Sequence, residues 1–283
     1  MAKGIALTIG LNKVDPKHYD GWDGELTACE ADANDMAVIA RAGGFSVNTL
    51  LTKAATRKTI ISEIEKAAGA CGPSDIFMLS YSGHGGQIPD RNGDELDNQD
   101  ETWCLYDGEM LDDEILALWS KFKPGVRILV FSDSCHSGTV IRMAKAFASA
   151  GKPEAVLRYV SSVGEGRPKY RYMPPEACIR TYQRNSKFYD DLQDSLPKKD
   201  SVKVKARVRL ISGCQDNQLS QDGMFNGLFT GKLKQVWGNG RFSGNYADFH
   251  SAIVQRMPPD QTPNHYLVGQ LDAQFDAQKP FTI

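Results

Sequence analysis

Two short segments of this sequence hold the residue types best suited to covalent chemistry. Tyr81-Ser82-Gly83-His84-Gly85-Gly86 follows one apolar run, and Ser132-Asp133-Ser134-Cys135-His136-Ser137-Gly138 follows another. A thiol reacts as its thiolate, and a neighbouring imidazole that takes the proton gives an activated nucleophile at neutral pH. Cys135 and His84 are therefore the candidate nucleophile and base. A single buried Cys is ordinarily an inert small hydrophobe, and a single His a satisfied structural residue. Here both lie in polar, glycine-containing segments, where a core hydrophobe gains little. Glycines at 83, 85 and 86 leave the backbone uncluttered, so the amides of Gly85 and Cys135 are candidate donors to the oxygen of a tetrahedral intermediate. His136 adjoins the thiol, but successive side chains diverge in direction, which assigns it to packing or a backbone contact.

This chemistry requires the two segments to sit side by side. Residues 4–9, 45–51, 75–81, 126–132 and 207–212 read as short apolar strands, whereas 26–42, 56–70 and 112–122 carry apolar residues at helical spacing. Thr56 is a candidate N-cap and Gly43-Gly44 a stop. Strands alternating with helices predict a doubly wound α/β domain: a mostly parallel sheet with helices on both faces. Ligands of such sheets bind beyond the carboxyl ends of the strands, where both segments fall. If the two strands are neighbours, His84 and Cys135 face each other. Residues 142–207 differ, with about fifteen basic against about seven acidic residues, several prolines and weak periodicity. They read as a basic insertion or linker within a single domain spanning 1–283.

Composition narrows the function classes. Of the 283 residues, 33 are Lys or Arg and 35 Asp or Glu, a formal charge of −2, which argues against a polybasic nucleic-acid binder. No apolar run approaches the roughly 20 residues of a membrane span, and the first ten residues hold too short an apolar stretch for a secretion signal. The expectation is a soluble, cytoplasmic protein with neither nucleic-acid nor membrane partners. Six cysteines, none at CxxC spacing, predict free thiols and no zinc ribbon.

Tyr-Ser-Gly-His-Gly at 81–85 and Asp-Ser-Cys-His-Ser-Gly at 133–138, each after an apolar strand, resemble the His and Cys boxes of metacaspases, whose prokaryotic members are called orthocaspases. The similarity extends through residues 26–33 and 211–218. The resemblance implies a caspase-like fold and a cysteine endopeptidase working as a dyad, with Cys135 as nucleophile and His84 as base and acid. No third catalytic residue is assigned. It also implies cleavage of peptides and proteins after Arg or Lys, self-processing within the basic segment, and a monomer. The residues matching the family's acidic pocket are Asp32 and Asp133, with Cys29 and Ser82 nearby and Asp222 lining the groove. Charge supports this, because carboxylates hold an Arg through bidentate bonds and a Lys as a point charge, and repel an Asp. Taken alone, Asp32 would be an ordinary polar residue of a first helical turn.

Residues 90–101 and 111–114 are dense in oxygen ligands of the kind hard cations favour. An EF-hand pattern fits only in part, since Glu95 stands where that loop needs Gly. In calcium-activated metacaspases the acidic ligands match Asp100, Asp112 and Asp113, while Arg142 stands where a further family aspartate would be. No cofactor is required for the proposed chemistry, and calcium is the cation to test. The alternative reading is a non-catalytic caspase-like scaffold or calcium-binding interaction module, whose Cys135 would react only as an ordinary thiol.

Overall fold

The expected strands form where β-branched and apolar residues concentrate: β1 (Gly4–Gly10), β2 (Ser46–Leu51), β3 (Ile76–Ser82), β7 (Arg127–Asp133) and β8 (Arg207–Ser212). The computed structural model describes residues 2–93, 98–134, 169–214, 220–223, 225–270 and 272–283. Cys135, His136, Glu95 and Arg142 lie outside the described residues. The strands join one sheet in the order β2-β1-β3-β7-β8-β9, all parallel except β9 (Asn264–Gly269), which runs antiparallel to β8.

Alternation along the strands sends side chains to two cores. Phe77, Leu79, Tyr81, Ile128 and Val130 face one side, against Ile60 and Ile64 of α2 (Arg57–Ala70). The Thr56 side chain accepts a bond from the Thr59 N–H and caps that helix. Ile76, Met78, Leu129 and Phe131 face the other side. There they meet Met36 and Ile39 of α1 (Cys29–Ala42), together with Phe229, Phe249 and Phe275, which belong to three helices near the C-terminus. The sheet is thus covered on both faces, as the alternation of elements predicts.

Two regions differ from expectation. The acidic stretch after His84 folds into an antiparallel sheet of β4 (Gly85–Pro89), β5 (Gln99–Leu105) and β6 (Gly108–Leu111), followed by α3 (Asp112–Trp119). Ile88, Trp103, Leu105 and Met110 supply its buried positions beneath a run that reads as polar. The basic segment is not merely a solvated linker. Its described part contains α4 (Pro175–Ser195), which buries Ala177 and Cys178 with Met173, Cys104 and Tyr19, and Tyr189 with Ile88 and Leu111. The remaining helices are α5 (Leu228–Trp237), α6 (Tyr246–Val254) and α7 (Ala273–Ala277).

Glu109 of β6 is fully buried, accepts from the Thr102 hydroxyl, and has its carboxyl pushed up to about 8 by burial. A carboxyl raised in the folded state binds its proton more tightly there than in the unfolded chain, so the stability it contributes is lost as pH rises from about 4.5 through 8. Glu109→Gln should therefore raise the melting temperature at pH 8 by the equivalent of a few kcal/mol and change it little at pH 4.5. Melting curves of both proteins at the two pH values check this, and an equal shift at both would refute it.

Candidate active site

The β3–β7 register sets Ser82 opposite Asp133 at the carboxyl ends of the two strands. His84 and Cys135 each follow this pair by two residues. Beyond β3 the chain turns at Gly83, with the Tyr81 hydroxyl donating to the His84 carbonyl at 2.7 Å and to that of Cys104 at 3.1 Å. The Tyr81 ring is fixed in turn by stacking on Trp103, centroids 4.4 Å apart. The Cys104 N–H donates to the His84 carbonyl as well, so the histidine backbone is held from two sides.

The imidazole is buried, leans on Trp22 at 4.8 Å between centroids, and places Nε2 3.0 Å from the Gly24 carbonyl. A carbonyl only accepts, so Nε2 carries the proton and Nδ1 is left as the basic nitrogen. Gly24 has φ +57, and a Cβ there would press on Trp22 and His84, so glycine is required on both counts. Burial lowers the His84 pKa to about 4, which keeps the ring neutral at pH 7. Nδ1 is buried without a hydrogen-bond partner among the described residues, and the Tyr172 backbone lies beside the ring. A cavity of about 170 Å³ opens here, lined by Trp22, Gly24, His84, Lys169 and Tyr172 among others.

The residues expected to form an acidic pocket converge, and an arginine of the same chain fills it. Arg171 has a relative exposure of 0 %, and its guanidinium reaches Asp32 at 2.6 Å, Asp222 at 2.9 Å, Asp133 at 3.0 Å and the Ser82 hydroxyl at 2.8 Å. Each carboxylate is also held by neutral donors. Asp32 accepts from the Gly227 N–H and Asn226, Asp133 from the Thr230 N–H and hydroxyl and from Ser220, and Asp222 from the Thr27 N–H and hydroxyl. A Cβ at Gly227 would come within 2.5 Å of the Arg171 guanidinium, so this glycine gives the arginine its space.

Burial pushes the Asp32 carboxyl up against the pull of Arg171. Burial would raise Asp222 too, but there Arg171 and the Thr27 N–H prevail and hold it below the usual carboxylate range. Cys29 lies at this pocket, with its thiol pushed up to about 12 by burial. Cys71, Cys104 and Cys178 are likewise buried and raised, so none of these four competes as a nucleophile.

The Arg171 backbone is fixed as firmly as its side chain. Its N–H donates to the Ser220 carbonyl at 3.0 Å, and the Asp222 N–H donates to the Lys169 carbonyl at 2.7 Å, an antiparallel pairing in which Tyr170 opposes Gln221. The Arg171 carbonyl accepts from the N–H of Gly85, the expected oxyanion donor, at 3.0 Å, and the Met173 N–H donates to the Gly85 carbonyl at 2.7 Å.

Of the residues named from the sequence, Asp32, Asp133, Asp222, Ser82 and Cys29 gather at Arg171, Gly85 bonds the Arg171 carbonyl, and His84 precedes Gly85 with its ring toward Gly24. Sequence reasoning missed Arg171, Gly24, Ser220, Thr230 and Gly227. Asp100 lies buried on β5, whereas Asp112 and Asp113 open α3, where Lys199 lies 3.6 Å from Asp112 and Asn92 donates to Asp113. Among the described residues no group of three or more His, Cys, Asp or Glu side chains is placed to hold a metal ion.

Removing Arg171 would leave three buried carboxylates facing one another. Arg171→Met should cost about 3–5 kcal/mol at neutral pH. The orphaned carboxylates would have raised pKa values in the folded state, so the loss should shrink as pH falls and they protonate. Urea unfolding at pH 7.5 and pH 5 measures both effects, and a variant as stable as wild type at pH 7.5 would contradict the ion cluster.

Comparisons with known proteins agree on the family. The profile of the Peptidase C14 family, the caspase domain, matches residues 3–275. Metacaspase-1 of Schizosaccharomyces pombe is 30% identical over 259 residues, 83% of this chain and 59% of that protein. Metacaspase-1 of Kluyveromyces lactis is 28% identical over 252 residues, 81% of this chain and 56% of that protein. The chain thus spans little more than half the length of these metacaspases. The crystal structure of protein GSU0716 from Geobacter sulfurreducens is 58% identical, covers 99% of both chains and superposes with a TM-score of 0.88. Caspase-1 from Spodoptera frugiperda, at 11% identity over 95% of this chain and 86% of that one, shares the fold with a TM-score of 0.56. No helix among the described residues is long and apolar enough to cross a membrane.

Proposed function

Since the chain belongs to the caspase-domain peptidase family, we propose that it is a cysteine endopeptidase cleaving peptides and proteins after Arg or Lys through a dyad of Cys135 and His84. The observation that carries this reading is Arg171, buried among Asp32, Asp133 and Asp222 with its own carbonyl on the Gly85 amide. A pocket that encloses one arginine this way is a receptor for others.

In the proposed reaction His84 Nδ1 takes the proton of the Cys135 thiol, and the thiolate attacks the carbonyl carbon of the basic residue. The Gly85 N–H stabilises the developing oxyanion. His84 then protonates the departing amine, and a water activated by the same nitrogen releases the new carboxylate. Gly24 holds the ring in the required tautomer, a role a backbone carbonyl fills without a third side chain. The reaction needs no cofactor.

Specificity follows from the fork. Two nitrogens of an arginine reach separate carboxylates and Ser82, whereas a lysine offers one point charge, so Arg should be preferred. An Asp at the same place would add a fourth carboxylate to three.

With a fluorogenic peptide ending in Arg, Cys135→Ala should abolish turnover and His84→Ala should lower kcat by roughly 10²–10⁴-fold. Asp32→Asn should act mainly through KM, raising it about ten- to a hundredfold, since one charged hydrogen bond to the substrate is weakened. Preference for Asp-ending over Arg-ending peptides would refute the pocket while sparing the dyad. Full activity of Cys135→Ala would refute the dyad.

A further inference from the structure

A second group of buried charges lies at the other end of the sheet, and it is positive. Arg127 opens β7, Arg207 opens β8 and Arg209 follows two residues later, with Arg127 and Arg207 directly opposite in the strand register. Side chains alternate along a strand, so these three share the face that carries Leu129, Phe131 and Ile211. Each is more than nine-tenths buried. The Phe275 ring of α7 receives two of them, with the guanidinium carbons of Arg127 and Arg209 at 5.9 and 5.2 Å from its centroid, and Arg209 also lies 5.0 Å from the Tyr246 ring.

The counter-charge is small. Among the described residues Asp276 of α7 is the carboxylate that bonds the cluster: Arg209 donates to its Oδ1 at 2.6 Å, whereas Arg207 reaches its two oxygens only at 3.5 Å. Arg127 donates to the Gln278 side-chain oxygen and the Ser74 carbonyl, and Arg209 to Nε2 of His265 at 2.6 Å. A guanidinium only donates, so that imidazole accepts and is neutral, in line with burial and Arg209 lowering its pKa to about 4. Asp272 and Asp75 also face Arg127, but the first caps α7 through the Phe275 N–H and the second accepts from the Lys3 and Gly72 amides. Burial pulls Arg127 and Arg209 below the usual arginine value despite these acids. The Nε of all three arginines is buried with no hydrogen-bond partner among the described residues. A buried donor without an acceptor is costly, and three neighbouring ones call for an acceptor that the chain does not supply.

We infer that Arg127, Arg207 and Arg209 form a binding site for a phosphate group, which enters beside α7 and takes the place of the Asp276 carboxylate. Three guanidiniums against one bonded carboxylate leave a surplus of two charges, which a phosphate dianion matches. Its three or more acceptor oxygens suit the planar fork of arginine, which binds phosphate bidentately. A carboxylate brings one charge and two oxygens, and Asp276 shows that this leaves donors over. The Asp276 side chain is 39 % exposed and rides on a five-residue helix, so it can turn into water without disturbing the sheet. β7 and β8 run from this cluster to the candidate active site and end there at Asp133 and Ser212. A bound phosphate group ties their amino ends to the C-terminal segment and stabilises the native chain by mass action. None of the three arginines touches the reacting groups, so the inference does not rest on the peptidase reading.

Wild type, Asp276→Ala and Arg209→Met proteins should be compared by calorimetric titration with inorganic phosphate at pH 7.5, and by melting curves in phosphate and in sodium chloride of matched ionic strength. Phosphate should raise the melting temperature of wild type more than that of Arg209→Met, in which only its general salt effect remains. Asp276→Ala should melt below wild type in chloride, because the cluster loses its counter-charge. Phosphate should restore it and bind it about tenfold more tightly than wild type, since the tethered competitor is gone. Arg209→Met should weaken phosphate binding roughly ten- to a hundredfold, the loss of one charge-assisted contact. Should either variant fail to fold in both salts, Asp276→Asn and Arg207→Gln carry the same comparisons. Glycerol phosphate separates the sources: binding equal to that of inorganic phosphate assigns the site to a phosphate group borne on a larger molecule, and its exclusion assigns it to the free ion. Absence of phosphate binding from both wild type and Asp276→Ala overturns the inference. So does equal affinity in all three proteins, or a stabilisation that chloride reproduces.

Discussion

One buried guanidinium shared by three carboxylates organises this end of the molecule. Taking four charges out of water is unfavourable unless each finds further partners, and here each carboxylate does. Asp32 is held from the start of α5, Asp133 from α5 and Ser220, and Asp222 from Thr27. Those donors are backbone amides and short hydroxyls, so the anions remain partly solvated by fixed dipoles when the cation leaves. The cluster ties the first turn of α1, the ends of β3 and β7, and the segment leading into α5 to a single point. That point is the mouth of the sheet, where the ends of the parallel strands already converge.

The small antiparallel sheet serves the second half of the site. Gly85 begins β4 and must present its N–H outward while the preceding His84 turns back toward Gly24. Tyr81, clamped against Trp103, grips that turn from below, and Cys104 grips it from β5. A histidine whose backbone is bonded on two sides and whose Nε2 is committed to a carbonyl has little freedom left, and its Nδ1 is aimed by construction. The cost of burying the ring is a depressed pKa, and the same depression keeps it a base.

Much of this was legible in the sequence because it is local or periodic. The apolar strands, the Thr56 cap and the glycine-rich turn at His84 each follow from a few adjacent residues. Asp32 and Asp133 lie far apart in sequence, and only the strand order of a doubly wound sheet, together with the family resemblance, brings them together. What stayed hidden has long-range causes. Arg171 is one basic residue among about fifteen in its segment, and nothing near it tells a buried arginine from a solvated one. Gly24 acts through a carbonyl that every residue possesses, and only its positive φ beside His84 distinguishes it. The β4–β6 sheet stayed hidden because acidic residues sit within its strands, Asp100 and Glu109 buried and Glu101 half-buried, so the run reads as polar although Ile88, Trp103 and Leu105 are buried.

Stability and availability of the site are coupled through the same ions. Without the Arg171 side chain three buried carboxylates would repel, and the fold would lose stability about equal to what a buried ion pair loses when one partner is removed. A ligand that binds the native state stabilises it by mass action, and Arg171 acts as such a ligand at a concentration fixed by its tether. The pairing of Lys169 with Asp222 on one side of Arg171, and the buried Met173 leading into α4 on the other, set that concentration, because together they fix the Arg171 backbone at the mouth of the sheet.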